Sequence, residues 1–133
     1  MNLQAYFTIA SGKGVLSTAA ADGRVDAAIY AKPHMMEDGT LAFIMRDRLT
    51  HQNLTENPYA AYMFIEDGDR YQGIRLFLKK VKEDTNAELT EKMTRRSLRP
   101  AEDAAKEPKF LVYFEAEKIL HLIGSEVAAI DLV

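Results

Sequence analysis

Cysteine is absent from this chain of 133 residues. The chain therefore cannot form a disulfide, bind a metal through thiolates or use a cysteine nucleophile. Long apolar runs are also absent, since none approaches the ~18 residues that a membrane-spanning helix needs. The first residues lack a basic region followed by a long apolar stretch, so we predict no signal peptide. These absences lead us to expect a cytoplasmic location.

An excess of basic residues is missing as well. The chain has 17 lysines and arginines against 20 aspartates and glutamates, which gives a formal net charge of -3. Domains that bind nucleic acid are usually basic, so this balance argues against that function. The histidines His34, His51 and His121 are scattered without metal-ligand spacing, and we expect no metal site.

The residues that are present predict one mainly β domain over 1–133. Hydrophobic residues make up 47% of the chain, enough for one core. Asp22-Gly23 and Asp38-Gly39 are strong hairpin turns between β-compatible runs. Short strands at about ten-residue spacing are typical of an antiparallel sandwich or barrel. The predicted strands, six to seven in number, are Val15–Ala20, Arg24–Lys32, Leu41–Arg46, Tyr59–Ile65, Tyr71–Glu83, Phe110–Phe114 and, as the seventh, Ile119–Ile123.

Helical patterns occur at three places. Apolar spacing predicts an N-terminal helix over 2–12 and a late helix over 84–98, which begins with a capping box. A short helical turn follows the third strand. In the long fifth strand, Val81 breaks the alternation, so we expect a bulge near Lys79 and Lys80. Residues 99–109 are predicted to form a loop.

The segment between the third and fourth strands, "FIMRDRLTHQNLTENPYAAYMFIE", places cations beside a helix start. Arg46 and Arg48 are two residues apart, so both side chains can lie on one side of an extended chain. Thr50 is placed where the helix would begin, and a helix start offers free N–H groups and a positive dipole end. The combination suits a phosphate. In the alternative interpretation, the arginines are solvated and Thr50 only caps the helix.

The order of these pieces resembles a known family. The stretch "HQNLTENPYAAYMF" combines a short helix containing Asn-Leu with Asn-Pro and a strand of small and aromatic residues, and "GIRL" opens the next long strand. This is similar to the flavin-binding split-barrel proteins of the pyridoxamine 5′-phosphate oxidase-like superfamily, in particular the small single-domain FMN-binding members. The resemblance covers about residues 1–83 and implies an antiparallel split β-barrel.

The resemblance also implies a cofactor site near the interface of a homodimer. The FMN phosphate would be bound by Arg46, Arg48, Thr50 and His51. The flavin ring would meet the second and third strands, largely through backbone groups, and Tyr71 could reach the flavin of the partner subunit. The residues that would meet the ring are Ala28, Ile29, Tyr30, Phe43, Ile44 and Met45.

Three functions from different classes are consistent with the sequence. The first is a flavin-dependent oxidoreductase of unknown substrate, in which FMN carries the chemistry and no acid–base pair is needed. The second is a binding protein without turnover that holds FMN, haem or a deazaflavin cofactor. The third is a β-barrel interaction module without a cofactor.

Overall fold

A computed structural model describes residues 1–85 and 109–132 of the chain. These residues form mainly strands, as predicted, together with two helices. The elements in chain order are α1 (Leu3–Ile9), β1 (Gly12–Ala19), β2 (Val25–Ile29), β3 (His34–Met35), β4 (Leu41–Arg46), α2 (Leu49–Glu56), β5 (Tyr59–Glu66), β6 (Gly73–Asp84) and β7 (Lys109–His121).

All seven strands belong to one antiparallel sheet in the order β2-β1-β5-β6-β7-β4-β3. Within the described residues, β2 and β3 are the two ends of the sheet and do not pair with each other. The sheet curves around one main core that includes Leu16, Tyr62, Leu76 and Phe114, each fully buried. Burial of such side chains contributes about 1.5–3 kcal/mol each.

Strand β6 shows why the alternation in the sequence was informative. Ile74, Leu76 and Leu78 all point into the core, as the period of two predicts. The register with β7 shifts between Lys80 and Lys82, so the predicted bulge is confirmed at Val81. A second shift leaves Glu117 of β7 as an extra residue. Bulges of this kind increase local twist and help a sheet curve.

Both Asp-Gly turns are confirmed as turns between strands. Gly23 has a φ of 91° and Gly39 a φ of 87°, values that glycine adopts without the steric penalty of a Cβ. In the first turn, the Gly23 amide donates to the carbonyl of Ala20 at 3.0 Å. The turn returns the chain as β2, which pairs with β1 from Val15↔Ile29 to Ala19↔Val25.

Several predicted boundaries were wrong. The predicted sixth and seventh strands form one strand, β7, because the polar stretch between them still pairs with β6. The short strand β3 was missed, and β6 begins at Gly73 rather than Tyr71. Asp84 belongs to β6 and not to the late helix. Thr85 belongs to no helix or strand, and residues 86–108, which hold the rest of the predicted helix and the predicted loop before Lys109, lie outside the described residues.

The N-terminal helix is shorter than predicted and is held at both ends. The side chain of Asn2 accepts a hydrogen bond from the Ala5 amide at 2.9 Å. At the other end, Lys32 donates to the carbonyls of Phe7 at 2.9 Å and Ala10 at 2.8 Å. Among the described residues, no helix has the length and apolar character needed to cross a membrane.

A buried tyrosine connects β5 to the end of β2. The hydroxyl of Tyr62 donates to the Tyr30 carbonyl at 3.1 Å. A Cβ at Gly14 would collide with this hydroxyl and with the Tyr30 carbonyl oxygen, so only glycine fits there without a shift. Burial raises the pKa of Tyr62 well above its ordinary value, so the phenol stays protonated and remains a donor.

Candidate functional site

A cavity of about 490 Å³ lies between β2, β4 and the start of α2. Its volume is within the range of small-molecule and cofactor sites. The wall combines apolar side chains with a set of cations. The lining residues are Asp26, Ala28, Ile29, Tyr30, Ala31, Lys32, His34, Phe43, Ile44, Arg46, Arg48, Leu49, Thr50 and Lys109.

Positive charge converges on this cavity from separate parts of the chain. Arg46 ends β4, Arg48 precedes α2, and Lys109 begins β7. Arg46 and Lys109 are cross-strand partners in the β4–β7 ladder. Like charges opposite each other in a sheet are unfavourable, and a bound anion would offset this repulsion. The two arginines therefore lie on one cavity, as their spacing predicts.

Helix α2 begins beside these cations. Its first residue is Leu49, one position earlier than predicted, and its N-cap is Arg48. The side chain of Arg48 makes no capping hydrogen bond, and the first turn of the helix contains no acidic residue. Thr50 is the second helical residue, so the interpretation of Thr50 as an N-cap is wrong. The start of a helix carries N–H groups that its own carbonyls cannot satisfy, and Leu49 and Thr50 line the cavity at that point.

A small polar network surrounds Thr50. The Thr50 hydroxyl lies 3.5 Å from Oδ2 of Asp26, at the outer limit of a hydrogen bond. The phenol of Tyr30 belongs to the same group. Burial raises the pKa of Tyr30, a hydrogen bond with Thr50 opposes this, the Asp26 carboxylate raises the pKa further, and the positive charge of Arg48 lowers it. The net rise keeps Tyr30 protonated at neutral pH.

Most of the residues that the sequence singled out border this one cavity. The exceptions are Met45, His51 and Tyr71. Met45 is 1% exposed and packs in the main core. Tyr71 is 78% exposed in the turn before β6. The residues that line the cavity are Ala28, Ile29, Tyr30, Phe43, Ile44, Arg46, Arg48 and Thr50, and their binding of a cofactor stays a prediction.

His51 is buried on a different side of α2, in a group of side chains that we call the His51 cluster: Asp47, His51, Glu83 and Phe110. Nδ1 of His51 lies 2.9 Å from Asp47 Oδ1, and Nε2 lies 3.1 Å from Glu83 Oε1. The imidazole stacks on Phe110 with ring centroids 4.0 Å apart. Carboxylates only accept hydrogen bonds, so each ring nitrogen that carries a proton has an acceptor within reach.

The His51 cluster connects the segment between β4 and β5, which we call the hinge, to the sheet. Glu83 also accepts a hydrogen bond from Lys80 at 2.8 Å. Burial favours a higher pKa for Glu83, but the hydrogen bonds and positive charges of Lys80 and His51 outweigh it and lower the pKa. The two carboxylates approach opposite ring nitrogens, so they do not converge on one point as metal ligands would.

Sequence reasoning missed four charged or titratable residues of the cavity wall: Asp26, Lys32, His34 and Lys109. The period of two offered one signal, because Asp26 shares a face of β2 with Ala28 and precedes Tyr30 by four residues. Lys109 had no such signal. It reaches the cavity through its pairing with Arg46, which is far away in the sequence.

No protein-family model matches the sequence, and no curated protein matches it either. Solved structures do match. An FMN-binding protein from Syntrophomonas wolfei is 20% identical, with a TM-score of 0.70 over 88% of this chain and 81% of that chain. HupZ from Group A Streptococcus is 19% identical, with a TM-score of 0.75 over 97% of this chain and all of that one.

HutZ from Vibrio cholerae, described as a haem storage protein, is 17% identical, with a TM-score of 0.64 over 90% of this chain and 94% of that chain. Identities this low show a common fold and do not establish a common activity. This chain therefore shares the fold of these structures.

Proposed function

We propose that this protein binds FMN in the cavity between β2, β4 and α2, and that it is a cytoplasmic flavin-dependent oxidoreductase of undefined substrate. The observation that carries the proposal is the meeting of Arg46, Arg48 and Lys109 at one cavity. Three cations at one cavity, two from the segment between β4 and α2 and one from β7, favour a multiply charged anion such as a phosphate monoester.

The residues present fit an amphipathic phosphate ester. One part of the wall offers guanidinium groups, the Thr50 hydroxyl and the start of α2, which suit a phosphate. Another part offers Phe43, Ile44 and the β2 backbone beside Ala28, which suit a flat, largely apolar ring. The cavity of about 490 Å³ has room for a group of this class.

When bound, FMN would supply hydride or electron transfer. The chain's own residues would bind and orient it. Arg46 and Arg48 would neutralise the phosphate, and Thr50 would donate its hydroxyl. Tyr30, with its raised pKa, would offer a protonated phenol to the ligand rather than a phenolate. Because FMN would carry the chemistry and the protein would bind it, the protein need not supply a catalytic acid–base pair.

We further propose that the protein forms a homodimer through β2. Within the described residues this strand is an end of the sheet, and it exposes two apolar side chains, Val25 and Ile29, the second of which also lies at the cavity. Val25 is 79% exposed and Ile29 is 74% exposed. Leu49, beside the cavity, is 53% exposed. A second copy is the occupant that would cover an apolar edge of this kind and also enclose the open side of the cavity.

Light scattering coupled to size-exclusion chromatography tests the dimer. We expect the wild type to elute as a dimer and Val25→Asp to elute as a monomer, because a buried carboxylate in an apolar interface is unfavourable. Ile123→Asp is the matched control, since Ile123 is also exposed, at 64%, but lies after β7. A monomeric wild type, or an unchanged mass for Val25→Asp, would contradict the interface.

The first experiment on function is an absorbance spectrum of the purified protein, repeated after incubation with FMN and desalting. We expect retained flavin bands. Reduction of the bound flavin by NADH or NADPH, followed by reoxidation with oxygen or another acceptor, separates an oxidoreductase from a protein that only holds FMN. A protein that keeps no FMN after desalting would overturn the proposal.

Haem is the second candidate ligand, and His34 is the observation in its favour. The imidazole of His34 lines the cavity, and imidazole is a common axial ligand of haem iron. A Soret band after incubation with haemin, lost in His34→Ala and kept in His121→Ala, would favour haem over FMN. Absorbance spectra recorded after incubation with a deazaflavin cofactor test the third candidate ligand.

A further inference from the structure

Asp26 is a carboxylate in a cavity that is otherwise cationic. It lies on β2 opposite Thr18 of β1 and is half-buried. Among the described residues that line the cavity, it is the one acidic side chain, in the company of Arg46, Arg48 and Lys109. A carboxylate near a bound phosphate is unfavourable by itself, because like charges repel. Asp26 therefore needs a favourable interaction with the ligand that compensates for this repulsion.

The hydrogen bonds that Asp26 makes with the described residues do not compensate for this repulsion. Its contact with the Thr50 hydroxyl is long, at 3.5 Å, and Thr50 also hydrogen-bonds with Tyr30. A carboxylate can accept about four hydrogen bonds, so its oxygens retain the capacity to accept from a ligand. Thr50 is proposed to donate a hydrogen bond to the phosphate of the ligand. A ligand bound in this way would place the atoms that follow its phosphate close to Asp26.

We propose that Asp26 selects phosphate esters of polyols, which carry hydroxyl groups on the carbons that follow the ester CH₂ group. This inference rests on the proposed phosphate site. Ligand hydroxyls would donate to the Asp26 carboxylate in charge-assisted hydrogen bonds. An ester without hydroxyls would leave the carboxylate desolvated and facing the phosphate, with nothing to offset the repulsion. Sites built to bind a hydroxyl reject analogues that lack it more strongly than apolar pockets reject an extra group.

Titration calorimetry with two esters of equal chain length tests this selection. Ribitol 5-phosphate carries the hydroxyls, whereas n-pentyl phosphate has the same phosphate and no hydroxyl. We expect the wild type to prefer ribitol 5-phosphate by about tenfold or more. In Asp26→Ala the preference should fall to about twofold or less, because n-pentyl phosphate binds more tightly once the carboxylate is removed.

Two further variants keep the test specific. Asp26→Asn retains an acceptor oxygen without the charge, so we expect tighter binding of n-pentyl phosphate and a preference between those of the wild type and Asp26→Ala. Asp22→Ala is the matched control, because Asp22 is an exposed acid of the same hairpin that pairs with Arg24 and does not line this cavity. Its preference should equal that of the wild type.

The outcomes separate this inference from the proposed function. If FMN is retained but the wild type binds the two esters equally, or Asp26→Ala keeps the full preference, the inference is overturned and the FMN site stands. Failure of both esters to bind the wild type at millimolar concentration also overturns it. If FMN itself is not retained, the proposed function fails first.

Discussion

Thr50 and His51 are neighbours on helix α2, yet they belong to two polar regions that differ in how their charges are satisfied. His51 lies in a cluster where every polar partner comes from the protein, with carboxylates at 2.9 and 3.1 Å from its ring nitrogens. Thr50 faces a cavity whose wall carries two arginines, two lysines and one aspartate. Successive helical residues point about 100° apart, which places them on different sides of α2.

Within one turn of α2, the polar residues of the His51 cluster and those of the cavity differ in what they contribute. The His51 cluster joins the hinge, β6 and β7, so its hydrogen bonds serve the fold. The cavity concentrates positive charge at a surface that a ligand can reach, which favours binding over internal stability. The side of α2 on which a polar residue of the hinge lies therefore indicates whether it belongs to the His51 cluster or to the cavity.

The largest expected effect is on ligand affinity, and it should be confined to the cavity side. The double variant Arg46→Ala/Arg48→Ala should bind FMN at least about a hundredfold more weakly, because it removes two charge-assisted contacts to the phosphate. Fluorescence quenching of FMN measures the affinity. Arg24→Ala/Arg70→Ala, which removes the same charge from exposed positions, should bind normally. Equal losses of FMN affinity in both double variants would contradict the binding of the phosphate by Arg46 and Arg48.

The second effect is on stability, and it should be confined to the His51 cluster. His51→Ala should lower the free energy of unfolding by about 2 kcal/mol, because it removes the imidazole between Asp47 and Glu83 and the stacking on Phe110. Urea unfolding provides the measurement, with the exposed His121→Ala as the control. In the folded variant we expect the FMN affinity to change by less than about tenfold. A larger loss of affinity without a loss of stability would place His51 in the phosphate site.

The smallest effect concerns pH and also belongs to the His51 cluster. The folded pKa of Glu83 is lowered, so its stabilising contribution is complete above the ordinary value of 4.5 and is lost as the pH falls through the folded pKa. Glu83→Gln should therefore have a lower melting temperature than the wild type at about pH 7, and the difference should shrink towards about pH 3.

Glu117→Gln is the control for the pH series, since Glu117 is an exposed residue of β7 that is bulged out of the ladder. Its melting temperature should follow that of the wild type throughout. A difference between wild type and Glu83→Gln that grows as the solution becomes acidic would contradict the lowered pKa.

Local patterns predicted those parts of the fold that local chemistry decides. The Asp-Gly turns and the alternation of Ile74, Leu76 and Leu78 are readable in the sequence, and both are present in the structure. The continuity of β7 was not readable, because its polar middle looks like a loop. That stretch faces solvent while its backbone pairs with β6, and such pairing depends on residues far away in the sequence.

The candidate site likewise contains residues that local patterns predicted and residues that they did not. Spacing placed Arg46 and Arg48 on one side of the hinge, and both line the cavity. His51 adjoins Thr50 in the sequence, and only the position of β6 shows that its ring points to Glu83 instead. Lys109 joins the cavity through the β4–β7 register, which no local pattern encodes.

The contact between Gly14 and Tyr62 has a consequence for how this sequence can change over evolutionary time. The two positions cannot vary independently, because any side chain at position 14 meets the Tyr62 hydroxyl and the carbonyl oxygen of Tyr30. An alanine at position 14 requires a smaller residue at position 62 and a displaced β2 backbone. Homologous sequences should therefore keep or lose this glycine and this tyrosine together, and those that lose both should differ in the wall of the cavity that Tyr30 forms.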